Sequence, residues 1–408
     1  MGGYIMGNAI VAQSGGPTVA INASLAGVIE GALASKYDNI YGSLNGILGI
    51  KDDNVIDLGK IANSDPNFIK QLKTTPAMFL GSCRFKLPSV ESNDPIYKHL
   101  FEQFDRYNID AFFYIGGNDS MDTVDKLSAY AKQIDSHIRF IGVPKTIDND
   151  LCVTDHTPGF GSAAKYIATT TMEVVYDAKI YNSPSVTIIE VMGRDAGWLT
   201  AATSLARNEY CAGPDLIYLP EVPFNTEIFV NDLSRLLKEK TNIVVAVSEG
   251  IRDAAGEYIS ASTGTLDNFG HAQLSGAGKT LEYLVKDRLG CKCRSIEVNV
   301  LQRAAAHISS LTDILESVEL GKNGVKFAED GVTGAMVILK RTSNEPYTVE
   351  YDYAKIHDIA NEAKEVPKEW INSSHNWVTE EMIEYLKPLV LGEPKLEYEN
   401  GLPVYVTM

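Results

Sequence analysis

Cysteine is scarce, with five thiols in 408 residues, odd in number and scattered. That is no disulfide framework and fits the reduced thiols of a cytoplasmic enzyme. Cys291 and Cys293 form a Cys-x-Cys with no second Cys or His pair nearby, which reads as packing rather than a metal site. Basic charge is also short: Lys plus Arg number 36 against 53 Asp plus Glu, a formal net charge of −17. So acidic a balance argues against a nucleic-acid or anionic-membrane partner, which would want a basic face. A small anion can still bind in a locally basic pocket. No run of eighteen apolar residues occurs, so no transmembrane helix is expected. Met1 to Ala12 carries no Lys or Arg, and a secretory signal is not expected either. Hydrophobic residues at 45% and charged residues at 22% are the balance of an ordinary globular chain.

Short, nearly continuous apolar runs recur at Ala9–Ala12, Ala111–Ile115, Phe140–Val143, Val186–Val191, Leu216–Leu219, Ile243–Val247 and Ala335–Leu339. They read as strands buried on both faces. Helical patterns lie between them at Met121–Ile134, Ala163–Tyr181, Ala196–Ala206, Phe229–Lys240 and Lys279–Leu289. Such alternation predicts an α/β fold with mostly parallel, doubly wound sheets, and two Rossmann-like domains rather than one large sheet. From about Arg341 the alternation weakens, and the stretch reads as a C-terminal elaboration packed on the core.

Ligands of doubly wound sheets bind outside the carboxyl ends of strands. After the first strand comes Ser14-Gly15-Gly16-Pro17-Thr18, a phosphate loop before a helix or an ordinary turn. After Ile115 comes Gly116-Gly117-Asn118-Asp119-Ser120, where Asp119 or Ser120 serves a ligand or only caps a helix. After Val143 comes Pro144-Lys145-Thr146-Ile147-Asp148-Asn149-Asp150. If extended, it points Thr146, Asp148 and Asp150 to one side. A hydroxyl and two carboxylates near a lysine suit phosphoryl transfer to an alcohol. One carboxylate takes the alcohol proton, another holds Mg²⁺, and the lysine neutralises phosphate charge. After Val191 comes Met192-Gly193-Arg194, placing an arginine to clamp a sugar phosphate or to sit in solvent. Glu249 follows Val247, and Arg294 and Arg303 bound one segment; each alone is ordinary. Gly276-Ala277-Gly278-Lys279-Thr280 looks like the end of a Walker A loop, but Gln273 stands where its first glycine belongs, so it reads as a helix start.

The ordered set resembles the phosphofructokinases from about Ala9 to Arg303, and within them the pyrophosphate-dependent 6-phosphofructokinases. Their Ser-Gly-Gly loop is matched by Ser14–Gly16, Leu-Gly-Ser-x-Arg by Leu80–Arg84, Gly-Gly-Asp by Gly116–Asn118, Thr-Ile-Asp-Asn-Asp by Thr146–Asp150 and Met-Gly-Arg by Met192–Arg194. The resemblance implies Asp148 as the base for the sugar 1-hydroxyl, with Thr146, Lys145 and Arg194 beside it. It implies a donor site of Gly15, Gly16, Arg84, Gly117, Asp119, Ser120 and Lys145. Fructose 6-phosphate would meet Met192, Gly193, Arg194, Glu249 and Arg303, with Arg294 reaching in from a neighbouring subunit of a homodimer or homotetramer. Mg²⁺ would sit on Asp150, Asp119 and Asn118. The donor domain would span 1–161, completed by about 303–340, the sugar-phosphate domain 162–302, and the extension 341–408.

Two positions address the donor. Asp119 stands where ATP-using relatives have glycine, and its carboxylate would repel the α-phosphate and ribose of ATP. Lys145 replaces another glycine and would pair with pyrophosphate. Asn118 replaces the aspartate of Gly-Gly-Asp, shifting metal ligation toward Asp119 and Asp150. Pro17 and Thr18 replace the Asp-Ala-Pro of many relatives, and Ser185 and Val300 replace an arginine and a histidine of bacterial ATP enzymes. The competing expectations are an ATP-dependent phosphofructokinase and an inactive, sugar-phosphate-binding regulatory paralogue.

Overall fold

The computed structural model describes residues 7–260, 276–359 and 363–408. One sheet is built from β1 (Asn8–Gln13), β2 (Ile40–Ser43), β3 (Val55–Asp57), β4 (Ile109–Gly116) and β5 (Arg139–Pro144). The second comprises β6 (Ser185–Val191), β7 (Leu216–Tyr218), β8 (Asn242–Ser248) and β9 (Lys292–Glu297). The chain then returns to the first sheet with β10 (Ala335–Asn344) and β11 (Tyr347–Lys355). The strand order is β11-β10-β5-β4-β1-β2-β3 in the first sheet and β7-β8-β6-β9 in the second. Only β3 and β11 run antiparallel to their neighbours among these strands.

Every apolar run of the sequence falls in one of these strands, with Leu219 just past the end of β7. Their side chains are buried on both faces: Val11, Phe113 and Ile141 on one side of the first sheet, Ile10, Phe112 and Phe140 on the other. The helices that position the site are α1 (Ile21–Leu33), α2 (Asn118–Gln133), α3 (Phe160–Ala178), α4 (Trp198–Ala202), α5 (Thr226–Glu239), α6 (Ala277–Leu289), α7 (Leu301–Ala304), α8 (Leu311–Glu329) and α9 (Glu380–Leu386). The helix expected over Ala196–Ala206 is α4 followed by a 3₁₀ turn, Thr203–Ala206. α8 crosses α1 so closely that a Cβ on Gly27 would lie 2.0 Å from the Val318 carbonyl oxygen. No larger residue permits that crossing, which anchors the returning chain on the first sheet.

The boundary expected at Arg341 is corrected: β10 runs through it to Asn344 and turns back as β11. β11 alternates exposed and half-buried residues, as an edge strand with one solvated face does. Such a strand carries no continuous apolar run, and β9, with exposed Lys292, Arg294 and Glu297, carries none either. Beyond β11, Val366, Ile371, Val378, Met382, Tyr385 and Leu389 join the core around Phe160 and Trp198. Trp198 packs edge-on against Trp370 and tilted against Tyr385. All five cysteines are free. No helix among the described residues is long and apolar enough to cross a membrane.

Candidate active site

The carboxyl ends of the two sheets meet around one cleft of about 400 Å³. On its first side, β1 gives way to the Ser14–Thr18 turn, and Thr18 Oγ1 accepts from the Ala20 and Ile21 amides to start α1. The Leu80–Arg84 segment is strapped to this turn. Gln13 Oε1 accepts from the Leu80 amide (2.9 Å), and the Ser82 hydroxyl donates to the Gly15 carbonyl (2.8 Å). A Cβ on Gly15 would sit 3.1 Å from Lys145 Nζ, and one on Gly16 3.1 Å from an Arg303 nitrogen. Glycine therefore lets two cations approach the main chain from opposite halves of the sequence.

β4 leads through Gly116 and Gly117 into α2, which no side chain caps; its first amides suit an anion. The Gly116 carbonyl accepts from the Lys145 amide at the end of β5 (2.9 Å), bringing the two turns together. Beyond Lys145, Thr146 Oγ1 accepts from the Asp148 amide (3.1 Å) and donates to Asp148 Oδ2 (3.4 Å). The lining gathers Gly15, Gly16, Gly117, Asn118, Asp119, Ser120, Lys145, Thr146, Asp148, Asp150 and Arg194.

The far side comes from the second sheet. The Gly193 amide donates to Glu249 Oε1 (3.2 Å), and the Glu249 amide donates to the Val191 carbonyl (2.9 Å). A Cβ on Gly250 would lie 1.8 Å from the Arg194 carbonyl oxygen, so these two turns touch main chain to main chain. The Met192 amide donates to Gln302 Oε1 (3.3 Å), which ties down α7 and its Arg303. Burial chiefly, and the neighbouring Arg84, lower the proton affinity of Arg303, while Asp148 and Glu249 support its charge. Arg294 is not brought to the cleft. It stands half-exposed on β9, 3.6 Å from Asp177.

Three lining residues were not singled out from the sequence: Lys86, Asp195 and Ala363. Lys86 lies two positions beyond Arg84, the spacing that shares a side in extended chain. Asp195 pairs with Arg194 (2.8 Å) and Arg252 (2.7 Å). Ala363 comes from the C-terminal stretch, where no motif pointed. The Walker-like turn is closed: Glu190 accepts from the Gly276 (3.3 Å) and Gly278 (2.8 Å) amides at the start of α6, occupying the place of an anion.

Burial sets the electrostatics of the cleft. It pushes Lys145 down to about 8, against the pull of Asp148, Asp150 and Asp119. It raises Asp148, which Lys145, Thr146 and Arg194 hold back. Asp150 goes up to about 7 through burial and the neighbouring Asp148, and Glu249 to about 7 chiefly through burial. Desolvated carboxylates beside a desolvated ammonium mark a site arranged for chemistry rather than for stability.

The donor set also fits a divalent cation of the Mg²⁺ type. Asn118 Oδ1 is buried with no hydrogen-bond partner among the described residues, in the same cleft as Asp119 and Asp150. The described residues hold no group of three or more His, Cys, Asp or Glu suited to a metal cage. Mg²⁺ is commonly held by one or two carboxylates together with substrate phosphates and water, so a sparse set of protein oxygens matches its needs.

The Phosphofructokinase family model matches residues 8–328. The chain is similar to the pyrophosphate–fructose 6-phosphate 1-phosphotransferase of Methylococcus capsulatus, at 40% identity over 98% of this chain and 96% of that one. The enzyme of the same name from Halomonas elongata is 40% identical over 97% of this chain and 94% of its own. A crystal structure of the pyrophosphate-dependent phosphofructokinase from Nitrosospira multiformis superposes with a TM-score of 0.88, at 38% identity over 98% of this chain and 95% of that one. With the glycine turns, the Thr146–Asp150 run and Arg194 gathered in one cleft, the chain belongs to the phosphofructokinase family.

Proposed function

We propose that this chain is a phosphotransferase that moves a phosphoryl group, reversibly and with Mg²⁺, from pyrophosphate to the 1-hydroxyl of fructose 6-phosphate. The observation that carries the reading is the convergence of Lys145 Nζ on the Gly15–Gly16 turn in the cleft that also holds Asp148 and Asp119. Lys145, the α2 amides, Ser120 and Arg84 bind pyrophosphate, a compact anion that fits where Asp119 repels the ribose and α-phosphate of a nucleotide. Met192, Gly193, Arg194, Glu249 and Arg303 hold the sugar phosphate, Arg194 and Arg303 meeting its charge and Glu249 its hydroxyls.

Asp148 takes the proton of the 1-hydroxyl as its oxygen bonds to phosphorus, and the bond from phosphorus to the bridging oxygen breaks to release phosphate. Thr146, donating to Asp148, holds that carboxylate in line. Lys145 and Arg194 stabilise charge on the transferring group. Asp119, Asp150 and Asn118 would hold Mg²⁺, which supplies charge neutralisation on the phosphate oxygens when bound. Arg294, exposed on the edge strand β9, is assigned to the acceptor pocket of a neighbouring copy in a homo-oligomer. The sparse free thiols support a cytoplasmic setting.

The reverse reaction tests the reading. Fructose 1,6-bisphosphate, phosphate and Mg²⁺ mixed with the protein should yield pyrophosphate, seen by ³¹P NMR. No pyrophosphate, or release of phosphate alone, would count against it.

A further inference from the structure

The turn that carries Asp148 and Asp150 is held from behind by residues outside the span matched to the family, 8–328. Between the two aspartates, Asn149 is fully buried with a left-handed φ of 54°. Its side-chain amide donates to the Tyr385 hydroxyl on α9 (2.9 Å), across 236 residues of sequence. The Tyr385 hydroxyl spends its one proton on the Asp155 carbonyl (2.7 Å). Toward Asn149 the phenol can therefore only accept, which fixes the orientation of the Asn149 amide. A second strap lies beside it. The Lys364 amide donates to the Asp150 carbonyl (2.8 Å), and Ala363 bridges to Leu151.

The strap is itself pinned. Lys364 Nζ donates to the Thr154 (3.2 Å) and Asp155 carbonyls, and its own carbonyl accepts from Trp198 Nε1 (2.9 Å). The Tyr385 carbonyl accepts from Arg341 (3.0 Å), whose guanidinium also lies over the Tyr385 ring. Trp198 and Trp370 pack against the same ring.

We infer that Tyr385 is a positioning residue for phosphoryl transfer: through Asn149 it fixes the turn that aims Asp148 and Asp150 into the cleft. The inference rests on the reading of Asp148 as the base. Asn149 takes its left-handed turn between two desolvated carboxylates, and the phenol is the partner that holds its side chain there. Because small misplacements of a reacting group are costly in rate but not in ground-state binding, the loss belongs in kcat.

The test uses the full chain with pyrophosphate, fructose 6-phosphate and Mg²⁺. Tyr385→Phe removes the hydroxyl and keeps the ring. It should lower kcat about tenfold while KM for both substrates stays within about twofold. Asn149→Gly keeps the left-handed φ, loses the amide, and should behave alike. The double variant should be no slower than the slower single one, the signature of one shared interaction. Singles that leave kcat within about twofold, or that raise KM instead, or effects that multiply in the double, would overturn the inference. If Tyr385→Phe does not fold, Asn149→Gly decides alone. Asp148→Ser is run alongside. If it abolishes turnover while Tyr385→Phe and Asn149→Gly leave kcat intact, the positioning role falls and the base assignment stands. Turnover surviving Asp148→Ser removes both.

Discussion

Two groups of buried charge lie on either side of the turn after β5, and they are arranged in opposite ways. In front, facing the cleft, Lys145 is pushed down to about 8 and Asp150 up to about 7, each chiefly by burial. Behind, Asp155, His156 and Glu316 form a closed set. His156 donates to Asp155 (2.7 Å) from Nδ1 and to Glu316 (2.7 Å) from Nε2, and Arg341 reaches Asp155 (2.8 Å). Burial would lower His156, yet Glu316 and Asp155 lift it to about 9. Burial would raise Asp155, yet His156, Arg341 and Lys364 hold it below the usual carboxylate range. The rear group answers each charge within the protein; the front group leaves its charges facing the cleft under a desolvation penalty, the arrangement expected of residues that act on a ligand rather than hold the scaffold.

The comparison breaks most sharply at Asp148. Asp148→Ser should cut turnover by ~10³, the scale of a general base, while thermal unfolding stays close to that of the parent. A collapse of the fold, with turnover per folded molecule preserved, would move Asp148 to the rear group. His156→Gln should do the opposite. Breaking a buried ion-paired set should cost about 3 kcal/mol of stability at neutral pH, measured by urea unfolding, with kcat per folded molecule little changed.

The same imidazole sets a pH signature. Its affinity for the proton is raised on folding, so its contribution is fully present below about pH 6.5 and lost as pH rises through about 9. The stability gap between the parent and His156→Gln should therefore shrink by about 3 kcal/mol between those limits. Asp155 and Glu316 face the ring, and Arg341 and Tyr347 stand behind them. A gap independent of pH would mean that His156 is neutral in the fold. The smallest change expected is at the donor. Asp119→Gly should raise kcat/KM for ATP by ~10-fold if the carboxylate is the gate. A folded variant with no gain would leave the exclusion of ATP to Lys145 and the shape of the cleft.

The front group was legible in the sequence, because each of its turns follows an apolar run and carries its own residue pattern. Thr146, Asp148 and Asp150 were readable from their alternation, and Gly15 with Gly16 from their place before α1. The rear group was not. His156 and Glu316 meet across 160 residues and Asn149 and Tyr385 across 236, and neither pair has a local signature. The central strands were readable because burial on both faces makes them continuous apolar runs. β2, β3, β9 and β11 were not, being short or alternating at sheet edges. Arg294 lies on the edge strand β9, half-exposed beside Asp177 and outside the lining of the cleft.

The central claim is that the front group is built for pyrophosphate. A paired assay with fructose 6-phosphate and Mg²⁺, one sample given pyrophosphate and the other ATP, tests it directly. Fructose 1,6-bisphosphate forming with pyrophosphate alone is the predicted result, and formation with ATP alone would contradict the roles given to Lys145 and Asp119.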